Sequence, residues 1–490
     1  MAQLKSCRVN LHILSPVHIG SGQELDPFSY MIRDEKLLLI DLLKWMEGYD
    51  DKESLHEKMD SDDFVALRAF ISNNFNDENA VLNSIPVESH EVIETYRKAI
   101  QDTSSQKQAL INFMTRNEIN QTPYIPGSSI KGAIRTAIAN LFVDIAEVSS
   151  QNSKKQYKPH YEPDYNEKIF GKPTDDPMKN LKISDVSLDN FGTVIYVARE
   201  HSTKDKNTPK DAYEAAVSLC QVNEDVVYPL HFSLRPFNLH GKTIDLKFII
   251  DSLYQFYIPK FKNEYSKFFS ISSYKNIQRS IAKMNAAAIK LKTNEALIRI
   301  GHFSHVECVT LDEVRRPMAR KGKDGKQLPW GTTRTLANGI YPFGWAKLEF
   351  LDLEQKPRAE DEWPFTIEEI ERLVEEREES IKNEKASAEA AAQRAKVEEE
   401  KRQAEERRKK ALEAMPPEER AIEEVRDPSI AQNRIVEIYN DIDGFSGSNQ
   451  VKLAEALKAY WQEHGHWKTK DCSRKQKEKV AKIKAILGEN

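Results

Sequence analysis

The 490-residue chain reads as a protein of α+β or α/β modules rather than an all-α or all-β one. Short strand-like runs interleave with amphipathic helical segments, no short-period repeat is present, and a long charged segment precedes a small helical terminus. The opening strand rests on Val9, Leu11 and Ile13, which alternate with Arg8, Asn10 and His12. The clearest helix rests on Ile130, Ile134, Ala137, Ile138, Leu141 and Phe142, which recur at helical spacing behind Pro126-Gly127-Ser128-Ser129.

Taken in order, the Val9–Leu14 strand runs into Ser15-Pro16 and then Gly20-Ser21-Gly22, read as a turn-rich break. Lys36–Leu43 (KLLLIDLL) predicts a strand leading into a short helix. Residues 50–118, rich in Asp, Glu, Asn and Ser with Phe64, Leu67, Phe70 and Ile71 at helical spacing, predict a helical insertion. After the Pro123–Val148 unit, Ser149–Pro177 reads as a polar loop. Strands are expected at Val194–Ala198, Tyr228–Leu234, Ile244–Ile250 and Trp345–Leu351, with His201–Lys210 as an exposed loop. Composition breaks near Pro364. Residues 366–415 hold 15 glutamates and 12 basic residues with no Gly, Pro or aromatic, and their apolar positions are too sparse for a heptad seam. A solvated single helix follows. Beyond Met415-Pro416-Pro417, amphipathic patterns around Ile435, Ile438 and Tyr439, and around Leu453, Leu457, Tyr460 and Trp461, predict a helical unit. The expected domains are therefore a core over 1–360, a charged spacer over 361–415 and a terminal unit over 416–490.

Composition narrows the chemistry. The net charge of -5 gives whole-chain electrostatics no role in nucleic-acid binding, so any such role falls to local patches. Cys7, Cys220, Cys308 and Cys472 are scattered, none at metal-ligand spacing, and read as buried free thiols. The N-terminus lacks a signal-peptide core and no apolar run nears the ~18–20 residues of a membrane span. A cytoplasmic protein with no membrane partner, metal or cofactor is the expectation.

Four segments carry possible chemistry. A helix starting at Gly127, Ser128 and Ser129 offers unpaired N–H groups to a phosphate, with Lys131 and Arg135 one turn apart on one face. A P-loop is excluded because Lys131 precedes Gly132, and an ordinary capped helix with two surface charges is the plain alternative. Arg315–Lys326 (RRPMARKGKDGK) holds six basic residues and one acidic, among them Arg315, Arg316, Arg320, Lys321 and Lys323. With Arg334 and the glycines and aromatics that follow, it suits an RNA backbone with unstacked bases, or else is a solvated loop. His18 is placed to act as a general base in RNA cleavage or as a structural residue, and Asp26 before Pro27 to bind metal or shape a turn. His466–Lys484, with eight basic residues to two acidic, fits RNA or an acidic partner equally.

The opening strand with Ser15-Pro16-Val17-His18-Ile19-Gly20-Ser21-Gly22, the PYIPGSSIKGAIRTA segment (Pro123–Ala137) and GIYPFGWAKL (Gly339–Leu348) together resemble the RAMP superfamily of CRISPR-associated proteins. Within it the chain is most similar to the subunits that cap the crRNA 3′ side of type III-A (Csm) complexes, over roughly residues 4–352. The resemblance implies ferredoxin-like (RRM-like) βαββαβ modules with helical insertions, the glycine-rich segment near 327–348 facing RNA, and a non-catalytic role in assembly, crRNA 3′-end maturation and target RNA binding. It implies crRNA, complementary target RNA, other Csm subunits and host nucleases as partners, with a separate protein partner open for the terminal unit. RNA contacts are expected from His18, Gly20, Ser21, Gly22, Gly127, Ser128, Ser129, Lys131, Arg135, Arg334 and the basic loop. The alternatives are a metal-dependent RNA endonuclease using Asp26, a metal-independent processor using His18, and a backbone subunit present in several copies.

Overall fold

The computed structural model describes residues 3–61, 63–101, 109–144, 165–188, 192–202, 207–217, 226–312, 331–358, 363–428, 430–467 and 473–489. The chain divides into two compact units, Met1–Glu379 and Ser380–Asn490.

The first unit is built on a five-stranded antiparallel sheet in the order Glu295–Arg299, Trp345–Phe350, Lys5–Ile13, Val227–Leu234, Leu181–Ile183. Lys5–Ile13 sits at its centre, where Val9 faces Leu230 on one side and Phe350 on the other. Its alternation works as the sequence predicts: Cys7, Val9, Leu11 and Ile13 are buried and Arg8 is exposed on the opposite face. The helices Gly127–Asn140 and Leu246–Glu264 pack into the same core. Read along the chain, strand 5–13, helix 127–140, strands 181–183 and 227–234, helix 246–264 and strand 345–350 make a βαββαβ unit. Their spatial order is fourth, first, third, second, which is the ferredoxin-like arrangement, extended by Glu295–Arg299 at one edge.

A six-stranded sheet runs Tyr341–Pro342, Thr333–Ala337, Thr193–Ser202, Asn207–Ala216, Ile111–Met114, Gly20–Leu25, with one parallel pairing between Asn207–Ala216 and Ile111–Met114. A three-stranded sheet (Tyr30–Arg33, Lys36–Ile40, Val81–Pro86) and the helices from Leu42 to Gln101 close a second core around Trp45, Leu55, Ile71, Phe75 and Tyr96. Asp41 ends the KLLLI strand and caps the Leu42–Gly48 helix by accepting from Lys44 N, so one residue turns strand into helix.

Four expectations are corrected. Gly20–Gly22 opens a strand rather than a turn, because Gly20 pairs with Met114 and Leu25 with Ile111. The region 50–118 is not wholly helical: Val81–Pro86 and Ile111–Met114 are strands, the latter joining the six-stranded sheet. Of Ile244–Ile250 only Ile244 is strand, as the end of Lys242–Ile244. Asp245 accepts from Phe248 N at 2.8 Å and starts a helix whose apolar positions continue at helical spacing through Leu253, Phe256, Tyr257 and Phe261. Of His201–Lys210, residues 203–206 lie outside the described residues, and those on either side are strand, with Thr193–Ser202 paired to Asn207–Ala216 and His201 buried. Of Ser149–Pro177, residues 149–164 lie outside the described residues, while Tyr165–Phe170 forms a helix.

The charged helix spans Ile367–Glu413, about 70 Å at 1.5 Å per residue. Its first turns belong to the first unit. Ile370 joins the main core, and Glu371, Glu376 and Glu378 pair with Lys290, Arg279 and Lys283. The second unit packs Pro417–Arg426, Gln432–Asn440, Gly447–Glu463 and Arg474–Leu487 around Ile422, Ile438, Leu457, Trp461 and Ile483. No described helix is long and apolar enough to cross a membrane.

Candidate nucleic-acid interface

The residues after the opening strand meet two distant segments around a groove of about 740 Å³. One wall is His18–Gly20 and Gly22–Glu24. A second is the Ser129, Gly132, Ala133 and Thr136 side of the Gly127–Asn140 helix, and a third is Arg299–His302 with Ser304. The Gly20–Leu25 strand is irregular: Gly20 and Glu24 pair with Met114 and Asn112, so four steps of one strand cover two of the other and the intervening residues bulge.

His18 is held from every side. Val17 exchanges both backbone hydrogen bonds with Ala216, at 2.9 and 2.7 Å, which docks the segment on the Asn207–Ala216 strand. His18 Nδ1 lies 2.7 Å from the Glu214 carbonyl oxygen, and its ring meets Tyr213 and His302 edge-on at 4.9 and 6.1 Å between centroids. His302 N–H donates to the His18 carbonyl at 2.8 Å. Gly301 makes that approach possible: its φ is +90°, and a Cβ there would collide with the same carbonyl. Burial, with the nearby His302, lowers the His18 pKa to about 4, so the imidazole is neutral at pH 7.

Beneath the groove lies a buried ion network. Glu264, at the end of the Leu246–Glu264 helix, accepts from Arg299 Nη1 at 2.8 Å, Arg334 Nε at 2.6 Å and Trp345 Nε1 at 2.7 Å. Arg334 also donates to Glu307 at 3.0 Å. Burial alone would raise the Glu264 pKa, but Arg299 and Arg334 outweigh it and bring it to about 2. A second buried pair, Arg116 with Glu214, fastens the strand that carries the groove's Asn112 and Phe113.

The structure commits three expected phosphate ligands to the protein itself. Arg334, expected on the RNA path, is engaged by Glu264 and Glu307 with its side chain 5% exposed. Arg135 donates to Asp176 at 2.6 Å and to Asn166 at 3.2 Å, and lies 3.9 Å above the Phe170 ring. The N–H of Gly127 donates to Asp185 at 2.8 Å, so a carboxylate already sits at the helix start. A Cβ at Gly127 would fall against the Ile183 and Ser184 carbonyls, which makes the glycine a packing requirement.

Ser128 is exposed and Ser129 lines the groove. Lys131 makes no ion pair among the described residues; burial and then its neighbours Arg135 and Lys182 lower its pKa against the pull of Asp176. Asp26 Oδ1 accepts from Phe28 N at 2.7 Å, the hydrogen bond of a turn-forming aspartate, and no group of His, Cys, Asp and Glu side chains able to hold a metal occurs among the described residues. Cys7 and Cys308 are buried free thiols; Cys220 and Cys472 lie outside the described residues. Arg315, Arg316, Arg320, Lys321 and Lys323 lie outside them as well. The two ends of that loop are placed, however: Asp312 is tied to Asn140 and Lys260, and a Cβ at Gly331 would stand 3.1 Å from Glu307. Both lie beside the His305–Val309 helix, whose Cys308 and Val309 line the groove.

With this geometry in place, comparison with known proteins is informative. The model of the RAMP superfamily matches residues 10–305, a stretch that contains the groove's lining apart from Cys308 and Val309. The chain belongs to the RAMP superfamily.

Two relatives of this RAMP chain carry the name CRISPR system Cms protein Csm5. The one from Methanocaldococcus jannaschii is 32% identical over 133 residues, 26% of this chain and 29% of its own length. The one from Streptococcus thermophilus is 24% identical over 229 residues, 44% of this chain and 61% of its own. The chain therefore spans less than two thirds of either relative. Among solved structures, a chain of a cryo-EM Csm–crRNA–target RNA ternary complex of a type III-A CRISPR–Cas system aligns over 70% of this chain and 100% of its own, at 20% identity and TM-score 0.47. The crystal structure of T. onnurineus Csm5 aligns over 69% of this chain and 99% of its own, at 18% identity and TM-score 0.42.

Sequence reasoning missed Tyr213, Gly301 and His302 as parts of the RAMP groove. Nothing near Tyr213 in the sequence marks it. All three reach His18 only through the Val17–Ala216 bridge and the His302–His18 hydrogen bond, which join positions about 200 and 280 residues apart. Glycine followed by two aromatic rings at Gly301-His302-Phe303 was the one hint available.

Proposed function

We propose that this RAMP protein is a non-catalytic, crRNA-binding subunit of a type III-A CRISPR ribonucleoprotein, seated at the 3′ side of the guide, where it aids assembly, crRNA 3′-end maturation and target RNA binding. The observation that carries this reading is the meeting of His18–Glu24, the Ser129–Thr136 helix side and Gly301–Ser304 in one groove inside the family-matched region. The names of the relatives support it.

On this reading the groove supplies shape and hydrogen bonds, and its rim supplies charge. Among the described residues Arg299 is the only Lys or Arg lining the groove, and it is committed to Glu264 and the Phe343 carbonyl. Phosphate attraction falls to Lys131 and Lys182 beside the helix start, and to the basic residues of 315–326, which lie in sequence between Asp312 and Gly331. Contacts are then mainly to backbone, with sequence read by base pairing to the guide. Asp26, bound into its own turn, has no part in cleavage here.

Tagged protein recovered from its native host, with sequencing of bound RNA, tests the proposal: repeat-derived crRNA together with other Csm subunits is expected, and bulk RNA or none refutes it. In vitro, Lys131→Ala with Lys182→Ala should weaken crRNA binding and flatten its salt dependence, by roughly 0.7 in log–log slope per lost phosphate contact. An unchanged slope removes the two lysines from the RNA path.

A further inference from the structure

One atom in the groove is left in an unusual state. The Glu214 carbonyl can only accept, so the hydrogen bond at 2.7 Å places the His18 proton on Nδ1 and leaves Nε2 a bare lone pair. Nε2 has no hydrogen-bond partner among the described residues, although His18 is 4% exposed and lines the groove. The ring cannot turn away, since Tyr213 and His302 flank it edge-on and its backbone is clamped by Ala216-bonded Val17 on one side and His302 on the other.

Gly20 keeps this nitrogen open. A Cβ at position 20 would stand 2.9 Å from Nε2 and cover it. Gly20 needs no left-handed backbone there, so the absence of a side chain serves access rather than conformation. The groove is thus one into which a fixed, neutral acceptor projects; Ser129, Thr136 and Ser304 also line it, and Arg299, the one Lys or Arg among the described residues that line it, is paired with Glu264. Such a site selects a ligand by a hydrogen-bond donor rather than by negative charge.

We propose that His18 Nε2 accepts a hydrogen bond from a ribose 2′-hydroxyl, so that the groove distinguishes RNA from DNA through one nitrogen kept open by Gly20. The inference rests on the RNA-binding reading above and adds to it the chemical group that is read. A 2′-hydroxyl is the sugar donor that DNA lacks, and a single buried acceptor left unpaired by a deoxyribose disfavours DNA without any base contact.

Binding of the full chain to fluorescent single-stranded oligouridylate, its 2′-deoxyuridine counterpart and its 2′-fluoro counterpart tests the proposal. The three share one base, and the 2′-fluoro sugar keeps an RNA-like pucker without a donor. Unaltered protein is expected to favour the ribose oligomer over both others by roughly three- to tenfold, the effect of one neutral hydrogen bond. Gly20→Ala keeps the imidazole but sets a methyl group against Nε2, displacing or covering it, and His18→Phe keeps a ring of similar size without the acceptor; each should bring the three affinities together. Circular dichroism and the melting temperature of each variant identify a folding failure, and Gly20→Ala alone suffices if His18→Phe does not fold. If folded Gly20→Ala keeps the full preference, or if the unaltered chain binds the 2′-fluoro oligomer as well as the ribose one, the 2′-hydroxyl assignment is overturned while RNA binding stands. Failure of the unaltered chain to bind any of the three, in the presence of otherwise competent complex partners, overturns the RNA-binding reading and the assignment with it.

Discussion

At the scale of single residues, His18 and His305 are histidines folded in their neutral form. Burial lowers their pKa values to about 4 and about 2, the charges of Arg299 and Arg334 adding to the effect at His305. An unfolded histidine titrates near 6.5, so between that value and the folded pKa the unfolded chain binds more protons. Their contribution to stability is full above about pH 6.5 and is lost as pH falls. Glu264, with a folded pKa of about 2, acts in the same direction below about pH 4.5. Denaturant unfolding followed by tryptophan emission should therefore show a loss of roughly 1 kcal/mol per buried histidine between pH 6.5 and 5.5. His18→Phe should remove about one such share of the pH dependence; an unchanged profile would mean that His18 is protonated in the folded protein. The same residues show what can be read locally. Gly20, Gly127 and His18 stand out in the sequence by their spacing around a turn and a helix start, but the role of each is decided by an atom far along the chain: Ile183 and Ser184 for Gly127, Glu214 and His302 for His18.

At the scale of elements, the Leu246–Glu264 helix shows both success and failure of local patterning. Its first residues alternate like a strand, and only the longer apolar stripe and the Asp245 cap reveal the helix. Its last residue before the π-helical turn Tyr265–Phe269 is a buried carboxylate, which Arg299 and Arg334 stabilise from two different sheets. Glu264→Gln would leave two buried guanidinium groups short of their anion. A loss of about 3–5 kcal/mol is expected, read as a large drop in melting temperature or in soluble yield. A near-neutral outcome would show that the network is hydrated enough to dispense with the carboxylate. By contrast, Gly127–Asn140 was legible throughout, because Ile130, Ile134, Ala137 and Ile138 repeat at the period of the structure they form.

At the scale of the whole molecule, the two units have separate cores. The terminal helices close on Ile422, Leu457, Trp461 and Ile483, whereas Ile370 at the start of the charged helix belongs to the main core. A fragment comprising residues 380–490 is accordingly expected to be helical and to melt cooperatively by circular dichroism. A featureless, non-cooperative melt would mean that the terminal unit depends on the rest of the chain. The charged helix between them is exposed along its middle, as its near-absence of apolar residues dictates.

The sequence by itself determined what depends on near neighbours: the alternation of the opening strand, the apolar face and glycine start of the Gly127 helix, the solvated charged helix, and enough motif spacing to recognise the RAMP superfamily. Tertiary structure decided what depends on pairing across hundreds of residues. It turned Gly20–Gly22 from a loop into an edge strand, buried Arg334 in an ion network, tied the part-exposed Arg135 to Asp176, and brought Tyr213 and His302 to His18. The physical reason is that a side chain's propensity and periodicity act within a turn or two of its own position. Whether a charge is free or spent, and whether a lone pair faces protein or a groove, is set by whichever distant strand the register places beside it.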